Sequence, residues 1–140
     1  MAIAQWADGL ATGLCELDCQ HKALIKMVNV LNEVLSKNKG KEVITQAASC
    51  LLDFFGEHFQ NEERIMQESD YPSHKDHKGQ HDEFVRELKT LIDEFNNTGD
   101  TSLLVNKVQH FIVRWLLDHI VSYDKELADF VHAELGKKVA

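Results

Sequence analysis

His58-Phe59-Gln60-Asn61-Glu62, followed past a turn by His77-Lys78-Gly79-Gln80-His81, is the stretch that decides the fold of this chain. On a helix, residues four apart stand on one face about one turn from each other. Each pair therefore aims its polar atoms at one patch of space. Both pairs also fall on apolar stripes. Ala48, Leu51, Phe55, His58, Glu62 and Ile65 step by three and four, as do His74, His77, His81, Phe84, Leu88, Leu91 and Phe95. That is the pattern of a helix packed on a core. Imidazoles and a carboxylate at core positions are costly to bury unless something satisfies them. A metal ion would satisfy all of them together.

The flanking segments repeat the helical pattern. Residues 1–17 read as an ordered arm, with Trp6 and Gly13 in it, and Asp18 reads as an N-cap. From there a helix over 18–38 carries His21, Leu24, Val28, Leu31 and Leu35 on its stripe, and Asn38-Lys39-Gly40 stops it. The second helix spans 41–69. Asp70-Tyr71-Pro72-Ser73 is a turn, because proline removes a donor and fixes the backbone for a new start. A third helix covers 74–96, and the Asn96–Asp100 run ends it. The fourth, over 101–120, carries Val105, Val108, Ile112, Trp115 and His119, and a last helical piece over 123–135 follows or continues it. The expectation is a single domain over 1–140 of the all-α class. It is an antiparallel up-down-up-down four-helix bundle with an N-terminal arm and a short C-terminal helix.

Composition agrees and excludes several partners. At 140 residues, 44% hydrophobic and 27% charged, the chain has the make-up of a globular domain with a real core. A net charge of −8 argues against nucleic acid and acidic membrane surfaces. Lys26 and Arg114 interrupt the best apolar runs, so no membrane span is expected. Met1-Ala2-Ile3-Ala4-Gln5-Trp6 lacks the basic and apolar regions of a signal peptide, and a cytoplasmic location is expected. Cys15, Cys19 and Cys50 are an odd number without metal spacing, which suits reduced thiols.

The histidines can be placed by height. His21 lies near the start of its helix, His58 and Glu62 in the later half of theirs, His77 and His81 near a start, and His119 near an end. In an antiparallel bundle all of these meet at one end. For any single histidine a hydrogen-bonded core residue or a solvent-facing one is the ordinary reading. His110 and His132 receive it, and so does His74, the first residue of its helix. Glu63, Asp118 and Asp129 read as solvated face charges, and Cys15 and Cys19 as bystanders of packing. Taken together, His21, His58, Glu62, His77, His81 and His119 favour metal. Five imidazoles and a carboxylate exceed the four ligands of a structural zinc site, and they suit two ions sharing a bridge. Mixed imidazole and carboxylate ligation suits iron. A second bridge should come from the fourth helix, with Asp124 the candidate. Five residues at about 100° each leave it roughly 140° from His119 on a straight helix. A π-type bulge there, or a break near Ser122, is therefore expected.

With these motifs in hand, the chain resembles the hemerythrin family, in particular its bacterial oxygen-binding members. The resemblance covers nearly the whole chain. It runs from Trp6 and Gly13 through Asp18-Cys19-Gln20-His21-Lys22 and His58-Phe59-Gln60-Asn61-Glu62-Glu63 to His77-Lys78-Gly79-Gln80-His81. It ends on Trp115-Leu116-Leu117-Asp118-His119-Ile120 and Asp124. Cys19 stands where such proteins often carry a polar residue. The resemblance implies a non-haem di-iron centre. His77, His81 and His119 would hold one iron and His21 and His58 the other, with Glu62, Asp124 and an oxo or hydroxo group as bridges. The two-histidine iron would keep an open position for O2. Leu24, Phe59, Trp115, Leu116 and Ile120, within a turn of those ligands, can wall the O2 pocket, and would be bundle core in any case.

Donor chemistry points to binding rather than turnover. Carboxylate-rich di-iron bundles set four or more carboxylates against two histidines, whereas here the ratio is reversed and highly oxidised iron is less well stabilised. The expected function is a cytosolic O2 carrier or store that is not an enzyme. The alternatives are an oxygen or redox sensor acting through a separate protein partner, and a di-iron peroxidase or oxidase.

Overall fold

The computed structural model describes residues 2–139, apart from the side chains of 138 and 139. All regular elements among them are helical. After a 3-10 turn at Asp8–Leu10 come α1 (Cys15–Ser36), α2 (Lys41–Glu68) and α3 (His74–Thr98). The last rod is built from α4 (Thr101–Lys107), a π turn (Val108–Ile112), α5 (Val113–His119), a second π turn (Ile120–Asp124) and α6 (Lys125–Val139). The expected fourth helix (101–120) and C-terminal piece (123–135) are thus one continuous rod. Val108, Ile120 and Lys125 all keep right-handed helical backbone at the junctions. No glycine or proline lies between Thr101 and Leu135 to break it. None of these helices is long and apolar enough to cross a membrane.

The ends are set by local chemistry. Gly99, at φ 68°, closes α3 in the left-handed conformation, and its N–H donates to Phe95 O at 2.7 Å. Asp100 then caps α4, its Oδ1 accepting from Ser102 N at 3.0 Å. Asp18 departs from its expected part. The helix begins earlier, at Cys15, and Asp18 sits inside the first turn. Its carboxylate reaches back to the arm, accepting from Thr12 N and Thr12 Oγ1 at 2.8 Å and from Gly13 N at 3.2 Å. A capping residue in sequence has become the clamp that holds the arm on α1.

Each rod buries the face that the three–four spacing marks. His21, Leu24, Val28, Leu31 and Leu35 are buried on α1, as are Phe55, His58 and Glu62 on α2 and His77, His81, Phe84 and Leu88 on α3. The main apolar core runs from Leu35 and Phe95 up to Leu24, Phe59 and Ile120, and within it Phe84 stacks on Trp115 at 4.0 Å. A second, smaller apolar cluster gathers Met66, Tyr71 and Leu127, with Ile65, Phe130 and Val131 against them. Met66 lies one turn past Glu62, and Leu127 one turn past Asp124. The buried polar residues therefore sit between two apolar layers, and α6 supplies part of the upper one.

His132 fits the ordinary reading of a hydrogen-bonded, solvent-facing histidine, and the neighbour it serves is the arm. Its Nε2 lies 3.3 Å from Thr12 O. Gly13 beside it adopts φ +85°, and a Cβ there would stand 2.9 Å from His132 Nε2. A side chain at this position would meet both strain and a clash, at a cost of about 1–3 kcal/mol. Gly13→Ala should lower the urea midpoint accordingly, while Gly9→Ala, whose Cβ meets nothing within 4 Å, should change it little. Equal midpoints for the two variants would show that the arm clasp carries no stability.

Candidate metal centre

Four rods contribute to one polar cluster. His21 comes from α1, His58 and Glu62 from α2, and His77 and His81 from α3. His119 comes from the end of α5 and Asp124 from the π turn that follows it. All seven are nearly inaccessible, at 0–3% exposure. The π turn is what brings the last two together. Lys125 N–H donates to Ile120 O, a bond spanning five residues instead of four. The wider turn sets residues five apart on one face, so Asp124 reaches the cluster beside His119. This is the bulge form of the irregularity expected between them. The first π turn was not foreseen in the sequence. Val113 N–H donates to Val108 O, and both of those valines are buried, whereas a regular helix would set them about 140° apart.

The distances divide the cluster in two. Asp124 Oδ2 lies 2.8 Å from His21 Nε2 and 4.0 Å from His58 Nε2. Its Oδ1 lies 3.1 Å from both His77 Nε2 and His119 Nε2. One carboxylate thus turns one oxygen to each side. Glu62 is less cleanly shared, with Oε1 3.1 Å from His58 Nε2 and 3.3 Å from His81 Nε2, and Oε2 3.6 Å from His77 Nε2. Two groups of convergent donor atoms result: Glu62, His77, His81, His119 and Asp124 on one side, and His21, His58, Glu62 and Asp124 on the other. Both contain the two carboxylates. His74 belongs to neither.

The donor atoms fit metal ions on physical grounds. His119 Nε2 lies 3.1 Å from His77 Nε2 and 3.0 Å from His81 Nε2. Nitrogens bound to one ion at about 2.1 Å and at roughly right angles would stand about 3.0 Å apart. Neutral imidazole lone pairs do not face each other at that distance unless a proton or a cation lies between them. His58 Nε2, both Glu62 oxygens and Asp124 Oδ1 are buried without a hydrogen-bond partner among protein groups. Orphans of this kind are expensive in an apolar surrounding, and metal ligation removes the expense.

Without a metal the cluster must hold protons. Burial would push His58 down, but Glu62 and Asp124 override it and raise it to about 9. His77 is likewise raised to about 9 against its own burial, by Asp124 and Glu62, and His119 is raised for the same reason. Burial would raise both carboxylates, yet the neighbouring imidazoles hold Glu62 and Asp124 below the usual carboxylate range.

Rings and apolar side chains fill the surroundings. Phe59 stacks on His81 at 3.9 Å and 8°, and Trp115 on His119 at 4.5 Å and 10°. Leu24, Leu116 and Ile120 are buried, Leu24 beyond His21 on α1 and the other two flanking His119. Three contacts were missed in the sequence. Tyr123 covers His119 at 5.3 Å and 13°. Gln20 Oε1 lies 2.6 Å from His58 Nδ1, and Glu63 Oε2 3.0 Å from His81 Nδ1. Glu63 is only 20% exposed and therefore is not the solvated face charge expected. The one available signal was position, since Gln20 and Glu63 are each next to a ligand candidate. Cys15, Cys19 and Cys50 are free and exposed, away from both groups.

Residues 12–131 match the sequence model of a family described as hemerythrin, HHE cation binding domain. Bacteriohemerythrin of Pseudomonas paraeruginosa is 30% identical over 141 residues, spanning 99% of this chain and 88% of that protein. Bacteriohemerythrin of Methylococcus capsulatus is 31% identical over 126 residues, spanning 89% of this chain and 94% of its own. A crystal structure of wild-type hemerythrin superposes with a TM-score of 0.84 at 27% identity, covering 91% of this chain and 97% of that one.

Protonation gives a test of the cluster by itself. A histidine whose folded pKa lies above its ordinary 6.5 stabilises the fold fully below 6.5, and that contribution is lost as pH rises through the folded value. The metal-free protein should therefore lose stability steadily between pH 6.5 and about 9. Carboxylates held low act in the opposite sense and cost stability only on acidification. Metal displaces the same protons, so the loaded protein should show no such decline over that window. Urea unfolding of both forms across the range decides it, and a flat profile for the metal-free protein would contradict the assignment of protons.

Proposed function

The chain belongs to the hemerythrin family, and we propose that it binds O2 reversibly at a non-haem di-iron centre, as a cytoplasmic carrier or store. The observation that carries this reading is the pair of ligand groups sharing Glu62 and Asp124. His77, His81 and His119 would hold one iron and His21 and His58 the other. Glu62, Asp124 and an oxo or hydroxo group would bridge them. Iron held there in its reduced form would supply the electrons that O2 binding needs.

The chain's own residues supply the rest. The three-histidine side offers one more imidazole donor than the two-histidine side, so an iron held by His21 and His58 would be the one with room for O2. Phe59, Trp115 and Tyr123 lie flat on His81 and His119 and hold those rings in orientation. Leu24, Leu116 and Ile120 line the surroundings with groups that give water none of the two to four polar partners it needs. Excluding water in this way protects a bound ligand from protonation and loss. Two carboxylates against five imidazoles leave the site poor in negative charge, which favours binding over turnover and supports a non-enzymatic role.

Anaerobic titration of the reduced protein with O2, followed by removal under argon, tests the function through its visible spectrum. Full return over repeated cycles is expected of a carrier. Sustained consumption of O2 or peroxide would mark an oxidase or peroxidase. Capture of a partner only in one oxygenation state would mark a sensor.

The apolar wall yields a second measurement. Leu116→Asn and Ile120→Glu should keep their iron while costing about 2–5 kcal/mol of stability each. Both should convert faster from the oxygenated to the ferric form in stopped-flow spectra, by admitting water or, with Glu, by offering a new ligand. Decay equal to the parent's with iron retained would reduce these residues to ordinary core.

A further inference from the structure

The five candidate ligand rings differ at the nitrogen that faces away from the cluster. In each, Nε2 approaches a carboxylate oxygen of Glu62 or Asp124. If Nε2 holds metal, the proton must sit on Nδ1, and what accepts it tunes the ring. Nδ1 of His21, His77 and His119 is buried without a protein partner. His58 donates from Nδ1 to Gln20 Oε1 at 2.6 Å, and His81 donates to Glu63 Oε2 at 3.0 Å.

The two acceptors are not equivalent. Gln20 is a neutral amide, and its orientation is fixed by a chain of bonds. Asn61 Nδ2 donates to the same Oε1 at 3.2 Å, and Arg64 Nη2 donates to Asn61 Oδ1 at 2.7 Å. An amide oxygen with two donors aimed at it cannot be exchanged for the NH2 group. Glu63 is a carboxylate at 20% exposure, partly shielded from water. The nearest cation, Lys78 Nζ, is 4.0 Å from its other oxygen and is engaged at 2.8 Å and 3.1 Å by Asp82. Glu63 therefore places a carboxylate directly behind the His81 ring. That bond also ties α2 to α3, and Phe59 stacked on the His81 face leaves the ring no freedom to turn away.

We propose that Glu63 is a positioning residue that makes the centre electronically asymmetric. Acting through His81, it gives the three-histidine position a more strongly electron-donating ligand than any imidazole on the His21–His58 side, where Gln20 orients His58 without adding charge. The inference rests on the di-iron reading of the site. An imidazole backed by a carboxylate binds a metal cation more tightly and favours its higher charge state, and loss of such a partner typically weakens metal binding about 10- to 100-fold. The asymmetry of the site then has two sources: the number of histidines on each side and the acceptor behind one of them.

The test compares the iron-loaded protein with two variants of opposite sign. Glu63→Gln keeps the shape and an acceptor oxygen but removes the charge. Gln20→Glu adds a charge behind His58. Reduction potentials by spectroelectrochemistry and iron release to an excess of chelator are the readouts, so neither depends on oxygen binding. Glu63→Gln should raise the potential and speed iron release about 10- to 100-fold. Gln20→Glu should lower the potential without faster release. A purely structural role predicts that both variants move the same way or that neither moves, and either result overturns the proposal. If one variant fails to fold, the direction of the other's shift still decides. Loss of O2 binding in the parent would refute the functional reading while leaving this comparison intact.

Discussion

Two carboxylates and five imidazoles share a volume from which water is excluded, and the rest of the molecule is arranged to make that tolerable. Asp124 is the clearest case. It is fully buried, its two oxygens face opposite groups of histidines, and Oδ1 has no hydrogen-bond partner among protein groups. An isolated carboxylate in such a place would cost several kcal/mol. Protonated histidines offset this in the metal-free protein, and cations do so in the loaded one. The exchange of protons for metal links folding, pH and loading in a single balance.

The helices accept irregularity to meet this constraint. A straight fourth rod would carry Asp124 away from His119, and the π turn at Ile120–Asp124 corrects the phase at the cost of one weaker turn. The rod does not stop once the ligand is delivered. It continues as α6, whose Leu127, Phe130 and Val131 close the apolar layer over Met66 and Tyr71. The arm, held by Asp18 and touched by His132, joins the start of α1 to that same rod. Thr12, Gly13 and α6 thus gather at the end where the polar cluster lies, while Ile3 and Ala4 run on to Asn29, about two turns further along α1.

The seam and the site were legible in the sequence because both obey the period of a helix. His58 with Glu62 and His77 with His81 declare a shared face through spacing alone, and even the irregular turn before Asp124 follows from an angle that does not fit. What could not be read depends on neighbours distant in sequence. Glu63 lies about 100° around α2 from Glu62, a direction that reads as solvent until α3 presents His81 to it. Asp18 looks like a cap until the arm folds back on it. The π turn at Val108–Ile112 holds no ligand candidate, and what it places, Val108 and Val113 in the core and Gln109 on Asn32 of α1, shows only in the packed molecule. Sequence period reports which face is buried, and only the packed partners report what the flank of that face touches.

Glu62 and Asp124 belong to both groups of candidate ligands, and the proposed pair of metal ions depends on that sharing. The direct measurement is iron and protein content on the same reconstituted sample, for the parent and for Asp124→Asn. About two irons are expected per parent chain, and a clear loss of iron from both positions in the variant, since Asp124 belongs to both ligand groups. One zinc per chain with no iron after iron-supplied expression, or a variant that keeps both irons, would contradict it.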